Sequence, residues 1–174
     1  MREELILVKP NESLKNQYLD MINEWKNHEE DIIPWSLNFD SSNFSLMIKK
    51  LEGYSKGEGL ENGFVESSTY WMINKSNRII GAIDIRHRLN DHLLFRGGHI
   101  GYGIRPSERK KGYATMMLSL ALEVCRTMGI SKVLITCAKD NIGSVKTIVN
   151  NGGILNSEGT DGGEYFQRYW VDLK

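Results

Sequence analysis

The spacing of apolar residues changes several times along the chain and predicts alternating strands and helices. Short apolar runs predict strands over residues 5–8, 69–73, 78–85, 98–104, 132–137, 154–155 and 164–171. Steps of three and four residues predict amphipathic helices after Asn11, over 42–54 and from 114 until Gly129. Adjacent strands without an intervening helix indicate hairpins. We therefore predict an α+β fold, with a mostly antiparallel sheet flanked by about four helices.

Two connecting segments show neither the strand spacing nor the helix spacing of apolar residues. Residues 31–40 include Pro34, Trp35 and Phe39, which predicts an irregular aromatic loop. Glycines at positions 53, 57, 59 and 63 predict a mobile connector in which a lid could lie. Four aromatic residues would either line an acceptor pocket or fill the core, namely Trp35, Tyr70, Trp71 and Trp170.

Length and composition fit a single domain over residues 1–174, because 40% of the residues are hydrophobic and 25% are charged. A formal net charge of zero argues against sequence-independent nucleic-acid binding. The chain has no apolar run near the length of about 18 residues that a membrane helix needs, and its first residues lack a signal-peptide layout. We expect a cytoplasmic protein with neither a nucleic-acid nor a membrane partner.

A basic turn between a predicted strand and a predicted helix carries the clearest chemical signal. Arg109, Lys110 and Lys111 precede Gly112, and helical periodicity starts directly afterwards. The start of a helix presents unpaired N–H groups and a positive dipole end, and glycine lets the backbone approach a ligand. This arrangement predicts a phosphate-binding turn, the alternative being a solvated basic loop.

Two motifs resemble the GCN5-related N-acetyltransferase (GNAT) superfamily. Residues 109–114 match the family's Arg/Gln-x-x-Gly-x-Gly/Ala signature, and residues 140–144 resemble its Asn-x-x-Ser/Ala motif at the next helix. The similarity is close over residues 78–155 and follows element order elsewhere. The resemblance implies a central mixed, twisted sheet with a splayed parallel strand pair. It also implies transfer of an acetyl group from acetyl-CoA to a primary amine of a small molecule or peptide.

Residue by residue, the resemblance implies a set of acetyl-CoA contacts. Backbone N–H groups near Tyr102 to Ile104 would bind the thioester carbonyl, since the splayed strands leave them unpaired. The complete set of implied contacts is Ile104, Arg109, Lys110, Lys111, Gly112, Tyr113, Ala114, Thr115, Asn141 and Ser144.

The general acid departs from the family pattern. Seven residues beyond Asn141, where the family often has a tyrosine acid, stands Ile148. Either the thiolate leaves unaided, or another tyrosine protonates it, with three candidates in Tyr113, Tyr165 and Tyr169.

The candidates for the general base are Asp84, His87 and His99, and Glu164 is less favoured because it lies in a glycine-rich turn. Strand alternation predicts that Asp84 shares a face with Ile80 and Ala82, opposite the face of Ile79, Gly81, Ile83 and Ile85. An acid among apolar neighbours would have a raised pKa, the alternative being an ion pair with Arg86 or Arg105. His99 titrates near neutral pH without any shift, or is a hydrogen-bonded core histidine.

No metal site is predicted, because the histidines and cysteines do not stand at ligand spacing. The missing tyrosine keeps a second function open, a non-catalytic acyl-CoA-binding regulatory module. The chain could be a monomer or a homodimer.

Overall fold

The computed structural model describes residues 4–174, and its strands form two antiparallel sheets. The first sheet has the order β1-β2-β3-β4 and the second has the order β5-β7-β6. The strands are β1 (Ile6–Val8), β2 (Ser67–Ile73), β3 (Ile79–Arg86), β4 (Ile100–Ile104), β5 (Lys132–Ala138), β6 (Ile154–Asp161) and β7 (Glu164–Asp172). The predicted α+β fold and both hairpins, β2–β3 and β6–β7, are confirmed.

Four longer helices and one short helix accompany the sheets. They are α1 (Lys15–Asn27), α2 (Phe44–Ser55), α3 (Asp91–Phe95), α4 (Tyr113–Thr127) and α5 (Ile142–Asn150). Asn141 caps α5 as its position suggests, because its side chain accepts a hydrogen bond from Ser144 N at 3.1 Å. Within residues 4–174, each helix is too short or too polar to cross a membrane.

Helices cover both faces of the first sheet. On one face α1 and α2 pack against Trp71 and Ala82, and on the other α4 packs against Ile83 and Ile85. The predicted alternation along β3 is wrong at its start. The register shifts there, so that Ile79 joins the α1 face.

The two sheets meet at the start of β4. His99 N donates to Leu134 O at 2.8 Å, and Leu134 N donates to the imidazole Nδ1 of His99 at 2.9 Å. An isolated antiparallel bridge joins Gly98 to Ile135. This bridge lies just before β4, and no strand ladder joins β4 to β5 among residues 4–174. The imidazole, rather than a further backbone carbonyl, accepts the Leu134 N–H, so backbone pairing stops there.

Gly98 permits this close approach. Its φ is +62°, and an added Cβ would clash with the carbonyl oxygen of Leu134. Gly129, which follows α4, has a similar φ of +77° but no atom within 4 Å of an added Cβ.

These two glycines give a matched stability test. Gly129→Ala should cost about 1 to 2 kcal/mol for the left-handed backbone. Gly98→Ala should lower the free energy of unfolding by about 1 to 3 kcal/mol more, because its Cβ would also overpack against Leu134. Denaturant unfolding measures both free energies. Equal losses would show that contact with Leu134 does not constrain the junction.

Candidate active site

The basic turn ends in backbone conformations that suit an anion. Lys110 has φ +61° and Gly112 has φ +81°, and the first helical bond of α4 runs from Met116 N to Gly112 O at 3.2 Å. The N–H groups before Met116 therefore lie in the open first turn of the helix. An added Cβ on Gly112 would meet no atom within 4 Å. Glycine is favoured here by its positive φ rather than by crowding.

A cavity of about 520 Å³ lies beside this turn, between β4, α4 and α5. It brings together all the implied acetyl-CoA contacts except Lys111, which borders an adjoining cavity with Gly112 and Tyr113. The implied acetyl-CoA contacts that line this cavity are Ile104, Arg109, Lys110, Gly112, Tyr113, Ala114, Thr115, Asn141 and Ser144. Residues that are distant in sequence thus converge on one site.

Two cations of the turn have carboxylate partners. Arg109 Nη1 lies 2.6 Å from Glu30 Oε2, and its Nε donates to Ile104 O at 3.1 Å. Lys111 Nζ lies 2.8 Å from Glu108 Oε2. An anion that binds here therefore competes with carboxylates of the protein.

A buried ion-pair network fixes the turn to α1. Arg105, only 1% exposed, pairs with Glu24 and with Asp20 at 2.7 Å, while Ser107 N donates to Glu24 Oε1 at 2.7 Å. Burial by itself would raise the pKa of Glu24, but the hydrogen bonds from Arg105 and Ser107 lower it to about 2. Arg105 therefore binds α1, and it is not the partner of Asp84.

The Tyr102 hydroxyl lies in the same cavity, 2.6 Å from Ser144 Oγ on α5. Burial raises the pKa of this hydroxyl to about 12, so it stays protonated at neutral pH. Sequence reasoning considered only the backbone near this residue. Strand alternation puts Tyr102 opposite Gly101 and Gly103, but the sequence does not show that the same face meets α5.

The other acid candidates differ in their surroundings. Ile148 is fully buried in the core, whereas Thr147 and Ser144 border the cavity. Tyr165 is 68% exposed on β7, and the buried Tyr169 hydroxyl donates to Gln167 Oε1 at 2.7 Å. Of the three tyrosines named from sequence, Tyr113 is the one that borders the cavity.

The backbone of β4 presents groups to the gap left by β5. Arg86 N donates to His99 O at 2.7 Å and Arg105 N donates to Ile80 O at 3.0 Å. Because bonding sides alternate along an antiparallel pair, the N–H groups of Tyr102 and Ile104 are turned away from β3. This orientation agrees with the expectation drawn from the splayed strands.

Asp84 lies at a second cavity, of about 430 Å³. Thr69 Oγ1 donates to its Oδ1 at 3.0 Å, and Arg86 Nε lies 3.8 Å from its Oδ2. Burial raises the pKa of the carboxyl, and Arg86 and Thr69 only partly oppose that increase. Asp84 thus combines an ion pair with access to a cavity.

His99 has a different environment. Its Nδ1 accepts the Leu134 N–H, and the side chain does not border either cavity. Burial, helped by the charge of Arg86, lowers its pKa to about 4. The ring is therefore neutral near pH 7 and is already hydrogen-bonded in the sheet junction.

A family model described as an acetyltransferase (GNAT) domain matches residues 4–154, most of the chain. The chain belongs to the GNAT acetyltransferase family. No curated protein matches it. Among residues 4–174 of this GNAT domain, no three histidine, cysteine or acidic side chains are grouped so as to hold a metal ion.

Solved structures share the fold of this GNAT domain over nearly its full length. A ribosomal-protein-S5-alanine acetyltransferase from Vibrio fischeri has a TM-score of 0.70 at 13% identity, with 97% of this chain and 92% of that chain covered. The microcin C7 self-immunity acetyltransferase, solved with acetyl-CoA and AMP, has a TM-score of 0.68 at 18% identity, with coverages of 98% and 93%. A spermidine/spermine N-acetyltransferase from Vibrio cholerae has a TM-score of 0.62 at 16% identity, with coverages of 97% and 94%. These likenesses show the fold.

The shifted pKa of His99 predicts a pH-dependent stability. Because the folded state lowers this pKa from 6.5 to about 4, protons bind the unfolded chain more readily in that interval. Stability should therefore fall as the pH decreases from 6.5 towards 4, by roughly 3 kcal/mol for this residue. The stability of His99→Asn should depend less on pH, because asparagine keeps a hydrogen-bond acceptor but does not titrate. Unfolding at several pH values measures the slope, and equal slopes would contradict this assignment.

Proposed function

We propose that this GNAT domain binds acetyl-CoA and transfers its acetyl group to a primary amine. The observation that carries the proposal is the convergence of the basic turn, the start of α5 and the outward-facing edge of β4 on one cavity. A cavity of this kind suits a long ligand with an anionic group at one end.

The residues present fit acetyl-CoA. The N–H groups at the start of α4 and the side chains of Arg109 and Lys110 would hold the pyrophosphate. Asn141 and Ser144 would lie along the pantetheine arm, and the N–H of Tyr102 or Ile104 would bind the thioester carbonyl. When bound, acetyl-CoA supplies an activated acetyl group.

Asp84 is the base that we favour over His99. Its carboxylate lies on β3 at the second cavity, while the His99 ring is hydrogen-bonded within the sheet junction. The amine is protonated in solution and must lose a proton before its nitrogen can form the new C–N bond. A carboxylate with a raised pKa is suited to accept that proton near neutral pH.

Tyr102 is the acid that we favour for the leaving thiolate. Its hydroxyl borders the cavity, remains protonated at neutral pH and contacts Ser144. A strand tyrosine would then take the role of the helix tyrosine that Ile148 replaces.

The two glycines at the ends of α4 test the binding site. Gly112→Val and Gly129→Val should destabilise the backbone by similar amounts. Their φ values are +81° and +77°, and both positions have open space around the added side chain. Only Gly112→Val should weaken acetyl-CoA binding, by at least about tenfold. Calorimetry on folded variants measures this difference. Equal affinities would remove the turn from the binding site.

Kinetics test the two catalytic roles. Asp84→Asn and Tyr102→Phe should each lower kcat by about 10² to 10⁴, with acetyl-CoA affinity retained. The ascending limb of the pH profile of kcat/KM should disappear only in the Asn variant. Tyr165→Phe, on the exposed face of β7, is the control and should keep the normal rate. A normal profile for Asp84→Asn would exclude it as the base.

The alternative function, acyl-CoA binding without catalysis, makes a different prediction in the same assay. Acetyl-CoA would bind, yet CoA would be released no faster with any amine than by hydrolysis. The conjunction of a buried acid at a cavity and a hydroxyl in the CoA site favours the enzyme.

A further inference from the structure

The cavity at Asp84 has a wall of four aromatic rings, here called the aromatic pocket: Trp35, Phe39, Tyr54 and Phe64. The Trp35 ring centroid lies 4.9 Å from that of Phe39, 4.7 Å from Phe64 and 6.3 Å from Tyr54. These contacts form a continuous apolar surface. Asp84 lies on the β3 side of the same cavity.

Polar side chains also line the aromatic pocket, among them Asn62, Thr69, Asp84, Arg86 and His92. Ser36 is in the wall too, but its Oγ has almost no accessible surface and no hydrogen-bond partner among residues 4–174, so it does not face a ligand. The Asp84 carboxylate suits a group that donates several hydrogen bonds, as an ammonium does.

The charge of the pocket limits the number of cations that it can accept. Asp84 is the one carboxylate among the lining residues, and Arg86 already lies 3.8 Å from it. Lys50 Nζ lies 4.2 Å from the Phe39 ring centroid and 5.8 Å from that of Tyr54. A second positive charge on the ligand would therefore meet cations without a further carboxylate partner.

We propose that the aromatic pocket is the acceptor site and that it selects a compact monoamine with a flat apolar body, an arylalkylamine. This inference rests on the proposed acetyl transfer. The rings receive the apolar body. Asp84 receives the single amine. The volume of about 430 Å³ suits a small molecule rather than a folded partner.

One segment separates the aromatic pocket from the CoA cavity. Ile33 borders the CoA cavity and Trp35 borders the aromatic pocket, while Pro34 lies over Gly101 of β4. The two cavities therefore adjoin at Gly101 of β4, and the amine nitrogen must pass this short segment to reach the acetyl carbon.

The test compares amines at saturating acetyl-CoA, with CoA thiol release as the readout. Phenethylamine and tryptamine should show kcat/KM at least about tenfold above spermidine and above a peptide with an N-terminal alanine. A preference for spermidine or for the peptide would overturn the proposed selectivity.

Variants assign the selectivity to the pocket. Trp35→Leu and Phe64→Leu should each raise KM for phenethylamine about tenfold while leaving acetyl-CoA affinity unchanged. Phe95→Leu is the matched control, because Phe95 is 45% exposed and Phe64 is 41% exposed, and Phe95 borders neither cavity. Unchanged KM in both pocket variants would overturn the assignment.

A binding titration separates this inference from the proposed function. Phenethylamine is titrated into CoA-loaded protein and into the Trp35→Leu variant. If the Trp35→Leu variant loses phenethylamine binding and no amine is acetylated, the pocket assignment stands and the transferase proposal fails. If amines are acetylated but Trp35→Leu leaves phenethylamine binding unchanged, the transferase proposal stands and the pocket assignment fails.

Discussion

The hydrogen bond from Leu134 N to the His99 imidazole is the interaction on which the site depends. It occupies the position where a backbone carbonyl would extend the pairing of the two sheets. Since the pairing ends there, the outer edge of β4 keeps N–H groups for a ligand. In the proposed mechanism, His99 shapes the cavity and Asp84 accepts the proton.

The Arg105 network gives the second half of this geometry. It joins α1 to the start of the basic turn through Glu24, which also accepts the Ser107 N–H. Replacing such a buried cluster by apolar groups can be neutral for stability, so its value here is positional. It holds the turn in register with β4, while the Gly98 contact brings β5 close to the start of β4.

Local features of the site could be predicted from the sequence, because they depend on neighbours in the chain. The basic turn, the Asn141 cap and the side of β3 on which Asp84 lies all follow from short-range spacing. The position of Ile79 could not be predicted, because a register shift depends on the partner strand. The role of the Tyr102 hydroxyl was missed for a similar reason, because α5 reaches it only through tertiary packing. Trp35 was named as a possible pocket residue, but its neighbours Phe39, Tyr54 and Phe64 come together only in the folded chain.

The carboxylates beside the basic turn affect how the turn discriminates among cellular anions. Glu30 holds Arg109, and Glu108 holds Lys111, so the field of these two cations is largely cancelled at a distance. Small anions such as phosphate or chloride gain little by approaching. A ligand that fills the cavity and reaches several donors together can displace both carboxylates. Under the proposed function, the turn would therefore discriminate by the number of simultaneous contacts rather than by charge alone.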